Sequence, residues 1–469
     1  MRNISFRHWI IKKIGTTRIA VLSFVFIILL GSLLLSLPIS NLENTGNDVS
    51  YLNHLFVATS ATCVTGLVPY PLASQYTTFG FIVIATLIQI GGLGVMTLFA
   101  FILTLLKEKL YQSEKRLLHD TLNTSSLSEI PRFLHKIFKY TFTFEMIGFI
   151  LLAFKFVPKF GVSKGLFSSL FLSISAFCNA GMDSFSMNSL IDYVNDPLIN
   201  FAIPMLIIMG GLGFSVWLDL SSSFKKMSKT FHKGDIIYAL KHLQIHTKLV
   251  LLMTSALIIF GFVSTYLIEF NNPNTLGSLN ALEKMYPAFF TSITLRTAGF
   301  ATLDMGLCRP ASLFIMIFLM LIGGSPGGTA GGIKTTTMLV IIITIVTLAK
   351  DESAYINIWR RRITTKTFMR SMIIASYYFV FLFIALMILL VSDPELSLMT
   401  LMYEATSAIA TVGLSMNATG LLSEVGRFVI ICLMLFGRVG PMSIVLFMMR
   451  NHKVKKGSIH YPHADVLIG

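Results

Sequence analysis

The chain has 469 residues, of which 54% are hydrophobic and only 13% are charged, and its mean hydropathy is +0.75. This composition excludes a chain of ordinary soluble domains, whatever the length alone would indicate. The net charge of +15 raises the question of a nucleic-acid partner, which the distribution of the charges answers below.

Apolar runs long enough to cross a bilayer, roughly 20 residues each, recur along the chain. They lie near 19–37, 79–106, 138–157, 197–218, 247–268, 371–392 and 425–449. A further apolar region, 311–349, is interrupted by "GGSPGGTAGG" and brings the predicted crossings to eight. The first run has a basic flank but no small-residue cleavage site, so we predict a retained helix rather than a removed signal peptide.

Most of the 37 Lys and Arg residues fall in five segments at alternate ends of the spans: 1–18, 107–139, 225–248, 350–370 and 450–469. The intervening segments hold most of the acids, such as Glu43, Asp183 and Asp304. The positive-inside rule then places both termini and all basic loops in the cytoplasm. The basic residues report orientation in a lipid bilayer, and we predict no nucleic-acid partner.

A polar turn of small residues occurs four times. "TSATCVTGL" ends its small-residue run at Gly66, "SISAFCNAGM" at Gly181, "TSITLRTAGF" at Gly299 and "TSAIATVGLS" at Gly413, with spacings of 115, 118 and 114 residues. A glycine motif follows each turn within the next apolar run: GGLG at 91–94 and 210–213, GGSPGG at 323–328, and GRVG at 437–440. The repeating unit is therefore a span, a polar glycine turn and a second span.

These units predict the following organisation: a cytoplasmic tail at 1–18, repeat 1 at 19–106, repeat 2 at 107–218, repeat 3 at 219–349, repeat 4 at 350–449, and a cytoplasmic tail at 450–469. Repeats 2, 3 and 4 each include the cytoplasmic loop that precedes them. Repeat 3 also contains an intramembrane loop at 323–332.

Each turn lies in the outer half of the membrane and follows a short helix-compatible stretch. Non-helical backbone is tolerated at that depth only when it is buried in protein or lines a water-filled cavity. We therefore predict an all-α polytopic membrane protein with eight transmembrane helices and four re-entrant pore helices around one central pore.

The residue types of the turns favour a dehydrated cation, because rings of main-chain carbonyls can replace its hydration shell and glycine lets such carbonyls face inward. The C-terminal ends of the half-helices add partial negative charge. No carboxylate lies in the last five residues of any turn, which disfavours a calcium-type acidic ring. The predicted selectivity filter comprises Thr62, Cys63, Val64, Thr65, Gly66, Phe177, Cys178, Asn179, Ala180, Gly181, Leu295, Arg296, Thr297, Ala298, Gly299, Ile409, Ala410, Thr411, Val412 and Gly413.

Four such units with one filter glycine each, and a glycine-rich break in the third, resemble the Trk/Ktr/HKT superfamily of potassium transporters over nearly the whole chain. The bacterial Ktr membrane subunits (KtrB type) are the most similar branch, since only about 18 residues precede the first span whereas Trk subunits carry two extra helices. In this family, glycine at all four positions accompanies potassium selectivity. The third turn departs from the pattern, because its Thr-Ser pair lies one residue farther from Gly299.

The break in repeat 3 holds too many glycines for a continuous helix, and a passive kink is the alternative to a function there. The resemblance implies that it forms a gate beneath the filter, composed of Gly323, Gly324, Ser325, Pro326, Gly327, Gly328, Thr329, Ala330, Gly331 and Gly332. Arg438 lies within the last span, where a charge is costly and by default functional. We predict that Arg438 lies near this loop, or else is a structural charge satisfied by carbonyls. For GGLG at 91–94 and 210–213, close helix packing is the favoured interpretation.

Other ionisable residues receive structural interpretations. We expect Arg296 to point behind the filter and pair with Glu404 or Glu283, because a positive charge on the ion path would repel cations. Glu145, near Lys139, is expected at the cytoplasmic end of its span. The four cysteines show no CxxC pair or zinc-type spacing, so free thiols are predicted and neither a metal cluster nor a disulfide.

The resemblance also implies partners and cofactors. It implies a homodimer and a cytosolic ring of KtrA-like nucleotide-binding subunits, for which the amphipathic stretches 107–122 and 232–248 would suit docking. ATP, ADP or NAD would be bound by that ring, since this chain has no Walker A motif or strand-linked GxGxxG and no cofactor of its own. Potassium is the expected substrate, and sodium is a possible activator.

The sequence also bears on three other functions. A secondary transporter would show inverted repeats or midplane acid pairs, whereas the four units share one orientation. A membrane enzyme would need a nucleophile–base or paired-carboxylate constellation, and the spans contain none. A sodium-preferring or sodium-coupled transporter of the same architecture is the remaining alternative.

Overall fold

A computed structural model describes residues 16–43, 50–105, 130–186, 188–229, 241–350, 356–358 and 361–440. Several sequence predictions therefore lie outside the described residues: the tail 450–469, the stretch 107–122, the last part of the final span after 440, and most of the tail 1–18 and of the stretch 232–248.

The described part is mostly helical. Its helices in the first half are α1 (Thr16–Ser36), α2 (Tyr51–Cys63), α3 (Thr78–Leu93), α4 (Val95–Leu105), α5 (Ile130–Phe160), α6 (Val162–Cys178), α7 (Pro197–Gly211) and α8 (Phe214–Lys229). Those in the second half are α9 (Ile245–Glu269), α10 (Met285–Thr294), α11 (Pro310–Leu321), α12 (Thr335–Ala349), α13 (Thr365–Ser392), α14 (Leu398–Ile409) and α15 (Glu424–Val439). Short 3-10 helices lie at Pro38–Ser40, Leu72–Ser74, Ile191–Tyr193, Met305–Leu307 and Thr419–Leu421.

A small antiparallel hairpin lies between α12 and α13 and corrects the all-α prediction. Its strands β1 (Ile356–Ile358) and β2 (Arg361–Ile363) pair Ile356 with Ile363. The alternation Ile-Asn-Ile, with β-branched residues two apart, is the signal that could have found it. The charges of the segment place it in a basic loop, so the sequence predicts no strands there.

Three helices, α5, α9 and α13, are individually long and apolar enough to cross a membrane. A fourth crossing is counted if α7 and α8, which meet at a bend of 97°, form one broken span. The other apolar stretches of described helix are only 10–17 residues long, among them Val21–Ser36 within α1, Thr78–Leu93 and Pro310–Leu321. Gly94 divides the run 79–106 and the segment 322–334 divides the run 311–349, so the number eight stays a prediction.

The helix surfaces separate a lipid-compatible exterior from a packed interior. α13 exposes large apolar side chains such as Phe379, Phe383 and Val391. Exposed apolar surface of this kind is expected where hydrocarbon replaces water. In contrast, α2, α6, α10 and α14, the helices that precede the four glycine turns and are hereafter called the short helices, each bury an aromatic ring almost completely. These rings belong to Phe56, Phe177, Phe290 and Tyr403.

The short helices pack in a closed cyclic order. α6 contacts α3, α10 contacts α7, α14 contacts α11, and α2 contacts α15. Each short helix therefore packs against the helix that comes after the preceding turn in the sequence. The first short helix, α2, closes the cycle by packing against α15, which comes after the fourth turn. This arrangement brings the C-terminal ends of α2, α6, α10 and α14, and the turns that follow them, to one central region.

Candidate functional site

The four predicted turns share one backbone conformation. The residue two positions before each glycine has a positive φ: Val64 (56°), Asn179 (63°), Thr297 (65°) and Thr411 (53°). The glycines also have positive φ: Gly66 (101°), Gly181 (65°), Gly299 (83°) and Gly413 (95°). Non-glycine residues rarely adopt this region, so its recurrence at the same offset in four turns indicates one shared local structure.

The four glycines meet in a ring. A Cβ atom built on Gly66 would lie 2.6 Å from the carbonyl oxygen of Ala180, and one on Gly181 would lie 2.7 Å from that of Ala298. In the same way, a Cβ atom built on Gly299 would lie 2.7 Å from the carbonyl oxygen of Val412, and one built on Gly413 would collide with the carbonyl oxygen of Thr65. Each glycine thus faces the carbonyl that precedes the glycine of the next turn, and the fourth turn faces the first.

In three of the turns, the serine six residues before the glycine accepts a hydrogen bond from the backbone and so holds the turn in place. Ser60 accepts from the Gly66 N–H and Ser407 from the Gly413 N–H, each at 3.0 Å, while Ser175 accepts from the Met182 N–H at 3.0 Å. The third turn has no serine at that offset. There Thr294 donates to the carbonyl of Phe300 at 2.6 Å, and Ser292 donates instead to Ile258, in α9, at 2.6 Å. The departure noted in the sequence is therefore a different anchoring of the same turn.

The ring is buried and contains oxygen atoms without protein partners. Of the twenty predicted filter residues, all except the partly buried Gly181 are buried. The hydroxyl oxygens of Thr62, Thr65, Thr297 and Thr411 are buried without a hydrogen-bond partner. Unsatisfied buried hydroxyls are costly in a native protein, which makes them available to a ligand that interacts with oxygen.

Arg296 pairs with neither Glu404 nor Glu283 in the part of the chain that the structure describes, and this corrects the prediction. Its guanidinium donates to the carbonyls of Gly323 at 3.0 Å and Thr254 at 3.3 Å. Glu404 instead accepts from Thr419 at 3.0 Å and from the Met416 N–H at 3.2 Å, and so fixes the chain beyond Gly413. Arg296 therefore points away from the ion path, and two backbone carbonyls replace the predicted carboxylate: that of Gly323, just after α11, and that of Thr254, within α9.

The glycine-rich loop Gly323–Gly332, hereafter the gate segment after its predicted role, lies against one side of the ring. Thr329 donates to the carbonyl of Phe177 at 3.2 Å, and a Cβ on Gly331 would meet the Thr411 hydroxyl. The N–H groups of Ser325 and Thr329 donate to Gly211 and Gly210, at 3.0 and 3.1 Å. The gate segment is therefore held against two turns of the ring and against the break between α7 and α8.

Arg438 lies against the gate segment, as predicted, and is satisfied by carbonyls, as the alternative required. It donates to the carbonyls of Thr329 and Gly91, and to that of Gly92 at 3.1 Å. Lys334 donates to Ala330 at 2.6 Å. Two cationic groups thus adjoin the gate segment, and Arg438 links it to the end of α3.

The glycine motifs that follow the turns in the sequence pack closely against other parts of the chain and also end helices. A Cβ on Gly91 would collide with the carbonyl of Thr62, one on Gly210 with that of Phe177, and one on Gly437 with that of Ile409. In each case the contacted residue lies four positions before the filter glycine of the same unit. The packing interpretation is confirmed for Gly91 and Gly210. The sequence did not predict that α3 and α7 end within their motifs.

Glu145 lies at the midpoint of α5 and is only 6% exposed, which corrects its predicted place at the cytoplasmic end. The reason is the length of α5, which begins at Ile130 and extends well before the apolar run. Cys63, Cys178, Cys308 and Cys432 are free thiols. Within the described residues no group of three or more His, Cys, Asp or Glu side chains could hold a metal ion.

Lipid-compatible helices around a buried ring of main-chain carbonyls place the chain among helical membrane proteins. The chain belongs to the cation transport protein family TrkH, whose family model matches residues 26–456. This membership confirms the resemblance seen in the sequence and makes the protein a transporter rather than an enzyme.

Relatives match over nearly their whole length. Ktr system potassium uptake protein B of Vibrio alginolyticus is 36% identical over 97% of this chain and 96% of its own. Potassium/sodium uptake protein NtpJ of Enterococcus hirae is 34% identical over 98% of both chains. The crystal structure of the potassium transporter TrkH from Vibrio parahaemolyticus has the same fold, with a TM-score of 0.69 and 16% identity over 91% of this chain and 84% of that one.

Proposed function

We propose that the chain is the membrane pore subunit of a potassium uptake system, in which K⁺ passes through a selectivity filter formed by the four turns. The observation that carries this proposal is the closed ring, in which each glycine faces the carbonyl oxygen of the next turn. Carbonyl oxygens in a ring can replace the hydration shell of a cation. The unpartnered hydroxyls of Thr62, Thr65, Thr297 and Thr411 supply further oxygens beside it.

The proposed architecture has eight crossings, with α2, α6, α10 and α14 as re-entrant pore helices and both termini in the cytoplasm. The cyclic order of helix contacts supports four equivalent units. The C-terminal ends of the four short helices adjoin the ring, so their partial negative charges favour a cation there.

The gate segment and Arg438 close the proposed pore from the inner side. Glycines and small residues can block a passage with little bulk, and they move readily because glycine restricts the backbone least. The guanidinium of Arg438 adds an electrostatic barrier to cations in a narrow passage of low dielectric constant. Its hydrogen bonds to Thr329 and Gly91 keep both barriers in one place.

The proposed assembly is a homodimer controlled by a cytosolic ring of nucleotide-binding subunits. The relatives named as parts of Ktr systems support a transporter of several components, and the homodimer and the ring are what the family resemblance implies. ATP, ADP or NAD would bind to the ring subunits. A sodium-preferring or sodium-coupled transporter is the second candidate function, because NtpJ is named a potassium/sodium uptake protein.

Ion flux into liposomes that contain the purified protein tests the proposal. We expect potassium and rubidium to enter much faster than sodium and lithium, since a ring sized for K⁺ replaces the hydration of smaller ions poorly. Empty liposomes provide the background rate. Sodium flux equal to or greater than potassium flux would refute the potassium assignment and favour the second candidate.

A further inference from the structure

A cavity of about 680 Å³ adjoins the ring on the side opposite the gate segment. Its base is formed by the four filter glycines, and its walls by the segments that follow them along the chain. The described residues that line it include two carboxylates, Asp183 and Asp304, and no Lys, Arg or His. Any ion that reaches the ring from this side must pass through the cavity.

Neutral groups hold the two carboxylates in place. One oxygen of Asp183 accepts from the N–H groups of Ser186 and Phe185, at 2.7 and 3.2 Å. One oxygen of Asp304 accepts from the Gly306 N–H at 2.9 Å and from the Asn417 side chain at 3.0 Å. Within the described part of the chain neither carboxylate forms an ion pair, so no basic side chain there cancels either charge.

Thr302 is a second, independent indication that the cavity binds a ligand. Its side chain lines the same cavity and is only 1% exposed, and its hydroxyl has no hydrogen-bond partner. The wall around it is fixed, because the Leu190 N–H donates to Ala301 at 2.9 Å and the Ala301 N–H donates to Ser189 at 3.1 Å. These bonds join the segment after Gly181 to the segment after Gly299, which carry Asp183 and Asp304.

We propose that Asp183, Asp304 and Thr302 form an outer cation site, which captures a monovalent cation from the external solution and holds it above the ring. The inference rests on the proposed function. Fixed charges of one sign in a cleft with low-dielectric walls raise the local concentration of the opposite ion. The site therefore acts on uptake at low external potassium, whereas discrimination between ions stays with the carbonyl ring.

Charge-removing variants test the site in liposomes at low ionic strength, where screening is weak. We expect Asp183→Asn and Asp304→Asn each to raise the half-saturating potassium concentration about threefold, and the double variant about tenfold. Thr302→Val should raise it about twofold, since only a neutral oxygen is lost. Maximal flux and the potassium-to-sodium ratio should stay unchanged in all four variants.

Asp192→Asn is the matched control, because Asp192 is an exposed acid in the same connecting region but does not line the cavity. It should leave the half-saturating concentration unchanged. A rise equal to that of Asp183→Asn would show a diffuse surface potential and overturn the site. An unchanged value in the double variant would overturn it as well.

Equilibrium binding of radioactive rubidium to the purified, monodisperse protein separates this inference from the proposed function. Fewer bound ions in the double variant than in the Asp192→Asn control support the site even if the protein passes no ions in liposomes. Equal binding in the two variants refutes the site. Absence of potassium flux in the unmodified protein refutes the proposed function only.

Discussion

At the scale of single residues, the ring glycines meet two separate demands. Their positive φ values disfavour any side chain, and their neighbours leave no space for one. Gly161 shows that the two conditions are independent: its φ is 81°, yet a Cβ atom there would meet nothing within 4 Å. Space, rather than backbone strain alone, is therefore the property that distinguishes the ring.

Gly66→Ser should lower the potassium-to-sodium flux ratio by about tenfold or more, because its Cβ would displace the Ala180 carbonyl, 2.6 Å away, and its hydroxyl would compete for the ion. Gly161→Ser is the control: it also places a side chain at a positive φ, but in open space away from the ring, and should keep the ratio of the unmodified protein. Flux ratios measured in liposomes decide the matter. An unaltered ratio in Gly66→Ser would remove Gly66 from the filter.

Because the carboxyl group of Asp183 has a raised pKa, we expect uptake to depend on external pH. Burial raises the pKa of its carboxyl to about 7, although the N–H groups of Ser186 and Phe185 oppose this shift. The side chain is therefore charged above that pH and neutral below it. The other titratable side chains in the cavity lining are Asp304 and Tyr70, and burial raises the pKa of Tyr70 to about 12, so that it stays neutral.

The half-saturating potassium concentration should rise as the external pH falls from about 8 to about 6, because the positive ion loses a negative partner. Asp183→Asn should show little of this change, and Asp192→Asn should keep all of it. Initial rates of rubidium uptake at fixed internal pH provide the measurement. A full pH response in Asp183→Asn would assign the titration to another group.

The sequence predicts the ring residues well because the repeat fixes them four times over, but it predicts their partners poorly. Arg296 shows why. A buried cation is expected to find a carboxylate, yet Arg296 binds the backbone carbonyl oxygens of Gly323, just after α11, and of Thr254, within α9. Such oxygens belong to every residue, so no pattern of side chains could identify them.

At the scale of elements, helix breaks organise the inner side of the ring. Leucine and isoleucine runs predict continuous spans, whereas α3 ends at Leu93 and α7 at Gly211. The free carbonyls at these ends bind Arg438 and the gate segment. Only the third break, with its proline and six glycines, is strong enough to be read from sequence alone.

Arg438→Ala should raise potassium flux about two- to fivefold without partner subunits, because a cationic barrier beside the gate segment is removed. The potassium-to-sodium ratio should stay nearly the same, since the ring carbonyls are untouched. Arg427→Ala is the control in the same helix. That arginine donates to Asn53 at 3.0 Å and to Gly420 at 2.9 Å near the start of α15, whereas Arg438 lies in the last turn of the helix.

Deleting Pro326–Gly328 from the gate segment should raise flux more than Arg438→Ala does. The deletion removes the Gly327 carbonyl that accepts from the Phe214 N–H at 3.1 Å, and it shortens the span that crosses the ring. The measurement is partner-free flux, with monodisperse elution to establish folding. Loss of flux in folded, membrane-inserted protein would mean that the segment is a brace rather than a gate.

At the scale of the whole molecule, the cyclic packing joins distant parts of the chain. α2 contacts α15, so the first and last units close the ring. Repetition in the sequence predicts four units, and their equal orientation follows from the basic loops. Neither feature specifies the cyclic order, which follows only from the contacts between units.

The orientation of the chain can be tested at the two ends of one helix. α13 has 28 residues and is long enough to span the membrane, at about 1.5 Å per residue. Exposed Lys366 lies at its start and exposed Glu395 just beyond its end, whereas Asp393 is buried and bonded to Ser423. Lys366 and Glu395 are therefore better labelling positions than Asp393.

Glu395→Cys should react with a membrane-impermeant thiol reagent from outside intact cells, and Lys366→Cys only after the membrane is opened. The background protein carries Cys432→Ser, because Cys63, Cys178 and Cys308 are buried and Cys432 is not. Labelling at the outer end then places the loop before α14, and with it the cavity above the ring, on the side from which potassium is taken up. The opposite pattern would invert the molecule, and the gate segment would face the external solution, where no cytosolic partner could act on it.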